Sequence, residues 1–490
     1  MISHELIYRI ERALGFEPTA GQRHAMELFG RFMTDRNDHA LMILRGSAGT
    51  GKTSVAGAIV RAMKGLRQKM VLLAPTGRAA KVFSVNSDTP AYTIHRRIYR
   101  QKTAGDLSRF SLNDNLHSDT LFIVDEASMV ANQGYSDTSF GSGLLLDDLV
   151  QFVYNGRNCR MMLIGDKAQL PPVGEEESPA LIGNYMQGYG LAVYECDLDE
   201  VLRQSSESGI LWNATMIRSM ITHDEMTQLP KIRFVGFSDI SIVPGGELIE
   251  QLASSHSHAG IDETMVITRS NKRANIYNNG IRAMVLGREE ELCSGDMLMI
   301  VKNNYYWTEK EKGKGDSTAA DVSTPAFLAN GDRCVVRRVR NIREMYGFRF
   351  ADLMLTFPDY DDYELTATVM LDSLQSEAPS LTREQTERLY NAVLADYADI
   401  PLKTDRMKAL RNDPYYNAIQ IKYAYAVTCH KAQGGQWAHV YLDQGYMTDE
   451  MLTPDYIHWL YTAFTRATEQ LYLVNWPKTQ TADEELKNEV

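Results

Sequence analysis

The sequence predicts an α/β protein with two parallel-sheet domains and a small β-rich domain inserted into the second. Three observations support this fold class. Short apolar runs recur along the chain, a glycine-rich loop follows the first of them, and the composition changes between about 290 and 420. With 490 residues, of which 44% are hydrophobic and 23% charged, the chain is long enough for two to four domains with sizeable cores.

Six short runs have the composition of buried parallel strands. Each ends in small or polar residues, and stretches compatible with helices separate them. The chemistry of such sheets lies at the carboxyl ends of the strands, so we expect functional residues just after these runs. The runs are LMILRG (41–46), VLLAPT (71–76), LFIVDE (121–126), MMLIGD (161–166), MVITRS (265–270) and LYLVNW (471–476).

The positions of these runs predict the domain organisation. The first four place one α/β domain in 1–200, with an insertion at 97–120 whose Thr-Ala-Gly-Asp sequence can turn a hairpin. The last two place a second α/β domain in 201–290 and 421–490. The stretch 291–420 is rich in Gly, Asn and short alternating patterns, and we expect a small β-rich domain with an added helical segment there.

Several classes of protein are disfavoured by composition. Charges are scattered through the N-terminus, MISHELIYRIERALGF, which argues against a secretory signal or an anchor. No apolar run approaches the roughly 20 residues that span a bilayer. We therefore expect a cytoplasmic protein without a membrane partner. The five cysteines are scattered and lack a C-x-x-C pair, so we expect reduced thiols.

The charge is unevenly distributed. The net charge is −12, yet 61–110 holds eleven Lys and Arg against two Asp and Glu, and 351–400 shows the opposite balance. An acidic protein can thus present a basic face to a nucleic acid. Solvated surface explains such blocks equally well, so charge alone leaves both interpretations open.

A phosphate-binding loop is the most specific single motif. GSAGTGKT fits G-x-x-x-x-G-K-[ST] directly after a predicted strand and before a helix-compatible stretch. Backbone N–H groups of such a loop surround phosphates, its lysine reaches the β and γ phosphates, and its hydroxyl binds Mg²⁺. The loop predicts binding of ATP with Mg²⁺ by Gly46, Ser47, Ala48, Gly49, Thr50, Gly51, Lys52 and Thr53.

A pair of acids supplies the second half of a hydrolytic site. Asp125 and Glu126 end the LFIV run, where Asp125 would hold Mg²⁺ and Glu126 would orient or deprotonate the attacking water. Three further residues are candidates for sensing the γ phosphate: Gln169, Arg203 and Arg466. Cations of this kind neutralise charge that develops in phosphoryl transfer. For any one arginine alone, a surface or salt-bridge role is the commoner explanation.

The motifs occur in the order of superfamily 1 helicases, and they resemble the RecD/Dda branch in particular. PTAGQ (18–22) resembles the leading glutamine motif, and APTGRAA (74–80) and TIH (93–95) resemble the two that follow the phosphate loop. DEAS (125–128), GDKAQLPPV (165–173) and LRQ (202–204) come next. NGD (330–332), VTCHKAQG (427–434) and YTAFTRA (461–467) complete the series.

This resemblance implies two RecA-like domains that share ATP, a short hairpin pin and an inserted β-barrel. It places Gln22 on the adenine and a DNA single strand along two sets of residues. These are Pro75, Thr76, Gly77 and His95 in the first half, and Asn330, Thr428, His430 and Lys431 in the second. Tyr99 or Phe110 could supply the wedge face of the pin, although a buried aromatic explains either residue almost as well. Tyr305, Tyr306 and Trp307 could stack on bases or pack within a barrel strand.

The function so implied is an ATP-dependent DNA helicase that moves 5′ to 3′ on single strands, acts at junctions of single and double strands, and serves repair, recombination or replication. We expect a monomer, with repair or replication proteins as further partners. Two alternatives stay open: a translocase that does not unwind, and an ATP-gated DNA-binding subunit of a repair complex. A small-molecule kinase would need neither the QLPPV nor the HKAQG segment.

Overall fold

The computed structural model describes residues 2–101, 110–134, 141–200, 207–223, 228–312, 325 and 327–483. The chain divides into two compact units. The first takes in 1–100, 110–248 and 432–490, and the second takes in 101–109 and 249–431. No helix among the described residues is long and apolar enough to cross a membrane. The five cysteines are free thiols, as predicted.

The strands, in chain order, are β1 (Ala40–Gly46), β2 (Lys69–Ala74), β3 (Ala91–Thr93), β4 (Tyr99–Gln101), β5 (Phe110–Leu112), β6 (Thr120–Val124), β7 (Arg160–Gly165), β8 (Ala192–Leu198), β9 (Ile240–Val243), β10 (Thr264–Thr268), β11 (Met297–Ile300), β12 (Arg333–Met345), β13 (Phe348–Phe357), β14 (Tyr363–Met370), β15 (Ile419–Tyr423), β16 (Ala426–Thr428), β17 (Trp437–Asp443) and β18 (Ala467–Val474). All six predicted runs are strands: β1, β2, β6, β7, β10 and β18.

The α-helices are α1 (Ile2–Leu14), α2 (Ala20–Thr34), α3 (Lys52–Gly65), α4 (Gly77–Ser87), α5 (Ile94–Ile98), α6 (Leu145–Tyr154), α7 (Gly183–Gln187), α8 (Gly209–Thr222), α9 (Leu248–His258), α10 (Asn271–Gly280), α11 (Tyr306–Lys312), α12 (Arg383–Asp396), α13 (Lys403–Arg411), α14 (Cys429–Ala432) and α15 (Pro454–Phe464). Short 3-10 turns and one π-helical turn, Ile281–Val285, lie between them.

The first sheet is parallel and has six strands in the order β3-β2-β6-β7-β1-β8. Strand β1 is buried along its whole length, because helices cover the sheet and pack apolar side chains against it. Phe29 and Phe32 of α2 and Ile59 of α3 are among the buried residues of this core. The order places the carboxyl ends of β6, β7 and β1 side by side, which brings the loops that follow them together.

The remaining parallel strands follow the prediction of a second α/β domain. In the first unit, β17 pairs with β18 and β18 pairs with β9. In the second unit, β10 pairs with β16 in register Val266 to Ala426 and Thr268 to Thr428. Strands β9, β16 and β17 had no counterpart among the predicted runs, because they are short or lie next to the motif loops.

The insertion in the second half is a closed barrel of strands β11-β12-β13-β14-β15. Its pairs are antiparallel except for β14 with β15. Helices α12 and α13 bury Leu389, Val393 and Leu410 against Phe348 and Phe350 of the barrel. The predicted inserted β-barrel is therefore confirmed, and α12 and α13 lie in the stretch where a helical segment was expected.

Of the two alternatives for Tyr306 and Trp307, base stacking or packing, the structure supports packing, although not on a barrel strand. Tyr306 and Trp307 lie on helix α11, not on a barrel strand, and their side chains are buried. The Trp307 indole N–H donates to the backbone carbonyl of Asn417 at 2.9 Å. These rings serve packing, and burial removes their faces from a nucleic acid.

The two aromatic residues of the predicted hairpin, Tyr99 and Phe110, are buried as well. Strands β4 and β5 form a two-stranded sheet, while its predicted turn lies at 102–109, outside the described residues. Tyr99 and Phe110 are both buried, and the Tyr99 hydroxyl donates to Asp148 at 2.7 Å. The structure therefore supports the alternative of a buried aromatic for both residues and not the wedge face.

Candidate nucleotide site and strand-contact residues

The phosphate loop joins β1 to α3 in a conformation that depends on glycine. Gly49 and Gly51 have φ of 79° and 75°, the left-handed region that side chains disfavour. At Gly46, an added Cβ would lie 2.8 Å from Oγ1 of Thr50 and 3.1 Å from Cβ of Leu198. Thr50 closes the turn because its hydroxyl donates to the Ser47 carbonyl at 2.8 Å. The glycines and Thr50 thus determine the shape of the loop.

Acidic side chains stand next to the loop lysine. Asp125 follows β6 directly and Asp166 follows β7 directly, so both lie at the carboxyl edge of the sheet. Burial raises the pKa of both groups; Glu126 adds to the effect at Asp125, and the charge of Lys52 opposes it at both. The positive charge of Lys52 therefore acts on both acids at the carboxyl edge of the sheet.

Glu126 has a strained backbone and a buried carboxylate oxygen. Its φ is 52°, a left-handed conformation that costs a non-glycine residue free energy. Among the described residues, its Oε2 has no hydrogen-bond partner although it is buried. Such an acceptor is costly unless something polar fills the site, and this is the position at which the sequence predicts the attacking water.

The C-terminal motif reaches the same place through Tyr461 of α15. Its hydroxyl donates to Oδ2 of Asp166 at 2.6 Å and accepts from the backbone N–H of Ala48 at 2.9 Å. The backbone N–H of Leu170 donates to Oγ1 of Thr462 at 2.7 Å. These bonds connect the phosphate loop and the GDKAQLPPV segment to the final motif within the first unit.

The predicted sensor residues have different surroundings. Gln169 is buried beside Asp166, and its Oε1 has no partner among the residues that the structure describes. Arg466 is 2% exposed, and its guanidinium donates to the carbonyls of Thr462 and Gly435 and to the hydroxyl of Thr465. It faces its own motif in this structure. Arg203 lies outside the described residues.

Gln22 is bonded to the phosphate loop. Its Oε1 accepts from the backbone N–H of Thr19 at 3.1 Å, and its Nε2 donates to the Thr50 carbonyl at 3.0 Å. Both ends of the amide thus have protein partners, which tie the start of α2 to the loop. The second N–H of this amide and the second lone pair of its oxygen are the groups that could contact the adenine, the role that the family resemblance implies.

A cavity of about 550 Å³ opens beside the phosphate loop. Two arginines line it that the motif search missed. Arg45 of β1 is held by Asp197 through two bonds of 2.6 and 2.7 Å and by Glu195. Arg218 of α8 donates to the Ser47 hydroxyl at 2.6 Å. Arg218 lies in an ordinary helical stretch of sequence, so only the fold could reveal that it contacts the loop.

The residues present fit a magnesium ion, although no group of three or more metal-binding side chains occurs in the described part of the chain. Mg²⁺ in nucleotide sites takes one or two protein ligands and completes its shell with phosphate and water oxygens. Thr53 is exposed in the first turn of α3, Asp125 is half-buried, and the charge of Lys52 acts on the Asp125 carboxylate. The oxygens of a hydroxyl and a carboxylate are ligands that this ion prefers.

The strand-contact residues predicted in the first unit lie at helix starts. Thr76 caps α4 by accepting from the backbone N–H of Ala79 at 3.2 Å, and Pro75 and Gly77 flank it. A Cβ on Gly434 would lie 3.1 Å from the Thr76 hydroxyl, so the backbone of Gly434 packs closely against this cap. His95 is in α5, and burial lowers its pKa to about 4, so it is neutral at pH 7.

In the second unit, the predicted residues follow β16 or lie at a barrel turn. Thr428 ends β16, and His430 and Lys431 come directly after it on α14; His430 is exposed and Lys431 half-buried. Burial lowers the pKa of Lys431 to about 8, with Lys422 adding to the effect. Asn330 is exposed at the turn before β12, beside Gly331 with a φ of 99°.

Comparison with known proteins agrees with the motif order. A family model described as an AAA domain matches residues 18–228, and one described as a UvrD-like helicase C-terminal domain matches 423–474. The ATP-dependent DNA helicase dda of Enterobacteria phage T4 is 24% identical over 310 residues, covering 60% of this chain and 63% of that protein. The ATP-dependent RecD2 DNA helicase of Deinococcus radiodurans is 30% identical over 175 residues, covering 35% of this chain and 21% of that protein.

This chain spans less than two thirds of the length of either relative. Among solved structures, the Pif1 helicase from Bacteroides in complex with ADP-AlF3 and ssDNA is 14% identical, covers 96% of this chain and 95% of its own, and has a TM-score of 0.46. The two family matches fall on the segments that carry the phosphate loop and the HKAQG motif. In its motifs and in these sequence matches, the chain is similar to the superfamily 1 helicases of the RecD/Dda-like group.

Proposed function

We propose that this chain is an ATP-dependent DNA helicase that moves 5′ to 3′ along single-stranded DNA. One observation carries the proposal: the Tyr461 hydroxyl bonds both to the phosphate loop and to Asp166. The final motif of the chain therefore touches the site where ATP would be hydrolysed. Such a contact can couple the nucleotide state to movement of the part of the chain that carries the motif.

The residues take the following roles in hydrolysis. Lys52 binds the β and γ phosphates together with the N–H groups of the loop. Glu126 accepts a hydrogen bond from the attacking water through its buried carboxylate, and Gln169 orients the same water or the γ phosphate. Thr53 and Asp125 would hold Mg²⁺, which supplies positive charge to the phosphate oxygens. Arg203 and Arg466 are proposed to add cations during the transition state.

Single-stranded DNA is the proposed partner, bound by the residues at the start of α4 and α5 and by those after β16. Both curated relatives are named as DNA helicases. The division into RecA-like domains at 1–200 and at 201–290 with 421–490, around a barrel domain at 291–420, remains part of this proposal. The proposal also includes a monomeric state, a cytoplasmic location, action at duplex junctions and partners in repair or replication.

The test is ATP turnover by the purified chain with Mg²⁺, with and without single-stranded DNA. We expect DNA to stimulate turnover, and Lys52→Ala to lose at least about a hundredfold, since one lost charge contact to a transferring phosphoryl group costs this much. Lys64→Ala is the matched control, because Lys64 is exposed at the other end of the same helix. Turnover that ignores DNA would contradict the proposal.

A further inference from the structure

Arg218 is the cation that the structure places on the phosphate loop. It lies on α8, outside every motif that the sequence presents, and its Nη1 donates to Oγ of Ser47 at 2.6 Å. Its Nη2 is paired with Asp199. Ser47 is itself buried, so the guanidinium reaches into the base of the loop from the cavity side.

The surroundings of Arg218 point to the terminal phosphate. Ser47 directly precedes Ala48, whose N–H is bonded to Tyr461. Burial raises the pKa of Tyr461 well above its ordinary value, Asp166 adds to this, and the charge of Arg218 acts against it. The charge of Lys52 in turn acts on Asp166. Arg218 is thus close to the groups that surround the loop lysine, and that lysine reaches the β and γ phosphates.

The present bonds of Arg218 are easily exchanged. Ser47 offers a neutral hydroxyl, and the side chain of Asp199 is 70% exposed, so that ion pair is screened by water. A phosphate offers two charged oxygens to the planar guanidinium, which is a stronger arrangement. Arg45, which also lines the cavity, has bonds that are harder to exchange. Both carboxylate oxygens of Asp197 bind its guanidinium, and Glu195 and the Leu181 carbonyl accept from it as well.

We propose that Arg218 binds the terminal phosphate of ATP and stabilises it during hydrolysis. It exchanges Ser47 and Asp199 for γ-phosphate oxygens when ATP binds, and it returns to them when phosphate leaves. In the reaction, the water oxygen forms a bond to the γ phosphorus and the water proton passes to Glu126. The bond from the γ phosphorus to the ADP oxygen breaks, ADP leaves with its electron pair, and Arg218 neutralises part of the charge on the γ oxygens. This role rests on the proposed ATP hydrolysis and adds a cation to those that the motifs predict.

The test separates ATP from ADP. Binding of a non-hydrolysable ATP analogue and of ADP is measured for the full chain and for Arg218→Gln, Arg218→Lys and Asp199→Asn. We expect Arg218→Gln to weaken binding of the ATP analogue about tenfold or more and ADP binding less than about twofold, and to lower kcat for ATP by about a hundredfold or more. Arg218→Lys should recover part of the loss, because it keeps the charge and loses the two-point geometry.

Asp199→Asn gives an independent arm, since it removes the counterion without touching the arginine. We expect it to tighten binding of the ATP analogue severalfold and to leave ADP binding unchanged. Arg9→Gln on α1 is the matched control, because Arg9 is half-exposed and pairs only with Glu5 on its own helix among the described contacts. Thermal unfolding of each variant checks that the fold is intact.

Equal loss of ATP-analogue and ADP binding in Arg218→Gln would overturn the proposal, since it would mean that Arg218 only shapes the loop through Ser47. Unchanged binding of both nucleotides would overturn it as well. If the wild-type chain binds both nucleotides but does not hydrolyse ATP, whether DNA is present or absent, the proposed function fails. The nucleotide-binding measurements on the variants still test whether Arg218 contacts the terminal phosphate.

Discussion

Tyr461 donates a 2.6 Å hydrogen bond to Asp166, although the two residues are 295 positions apart in the chain. Both groups are buried, and burial raises the pKa of each, so the phenol stays protonated and acts as the donor. Its oxygen also accepts from the N–H of Ala48. A single hydroxyl is therefore the hydrogen-bond partner of both a backbone N–H in the phosphate loop and the carboxyl of Asp166, which follows β7.

Replacing Tyr461 with Phe should destabilise the first unit and slow ATP turnover. The change keeps the ring but leaves the Asp166 carboxyl and the Ala48 N–H without this partner, which costs about 1–3 kcal/mol for a buried polar group. The measurement is the melting temperature together with kcat for ATP. Tyr8→Phe is the control, because that ring is 58% exposed on α1. Equal melting temperatures and rates for the two variants would contradict a role for the bridge.

Asp332 should make stability depend on pH in the neutral range. Burial raises its pKa to about 7, while the Ala329 N–H and the Tyr360 hydroxyl oppose this. Because the folded pKa lies above the unfolded value, the folded state binds the proton more tightly. Its contribution to stability is therefore fully present below about pH 4 and is lost as pH rises through 7.

Asp332→Asn should accordingly gain stability relative to wild type as pH rises from 5 to 8, by about 1–3 kcal/mol. Thermal unfolding across this range measures it. Asp361→Asn is the matched control, since Asp361 is exposed and has a φ of 53° that Asn also tolerates. A difference between Asp332→Asn and wild type that does not change with pH would contradict the assignment.

Lys431 should make DNA binding weaken above neutral pH. Burial lowers its pKa to about 8, and Lys422 adds to the effect, so the charged form is lost as pH rises from 7 to 9. If Lys431 contacts a phosphate, single-strand affinity should fall roughly threefold to tenfold over that range. Lys431→Arg should remove this dependence, because arginine stays charged.

Fluorescence anisotropy at constant ionic strength is a suitable measurement of that affinity. Lys272→Arg serves as the control, since the Lys272 side chain is 70% exposed. This substitution should leave the pH dependence of DNA binding as it is in the wild type. The same pH dependence in Lys431→Arg as in wild type would exclude Lys431 as the titrating group.

The hairpin distinguishes unwinding from simple translocation. Replacing residues 102–109 with Asn-Gly would join β4 to β5 by a two-residue turn that suits a hairpin. We expect DNA-stimulated ATP turnover within about twofold of wild type and strand displacement reduced by about tenfold or more, because base separation needs a stacking surface. If displacement is unchanged, residues 102–109 are not the pin. If both activities are lost, the segment is required for folding or for ATP turnover.

Much of the fold could be predicted because its strands and loops have local signals. The runs that became β1, β2, β6 and β7 are continuously apolar, and buried parallel strands require this. The phosphate loop was equally local, since its glycines and Lys52 are contiguous. Strand β8 was missed because its central Tyr194 and Glu195 break the apolar pattern, yet it pairs with β1 along seven residues.

The site was less predictable because its contacts join distant segments. Nothing near Arg218 signals that it reaches Ser47, and nothing near Tyr461 signals its bond to Asp166. Burial also changed expected roles: Tyr99, Phe110 and Trp307 are aromatic residues that a sequence allows to stack on bases, but the fold places them in its interior. A residue type shows what chemistry is possible, and only packing decides whether the group is accessible.

The most direct test of helicase activity is strand displacement from duplexes that carry a single-stranded tail at one end only. With ATP and Mg²⁺, displacement from the 5′-tailed duplex and none from the 3′-tailed or blunt duplex is the predicted result, and Lys52→Ala should displace neither. Displacement from the 3′ tail alone would contradict the proposed direction. No displacement from any duplex by a chain that hydrolyses ATP on single-stranded DNA would contradict helicase activity itself.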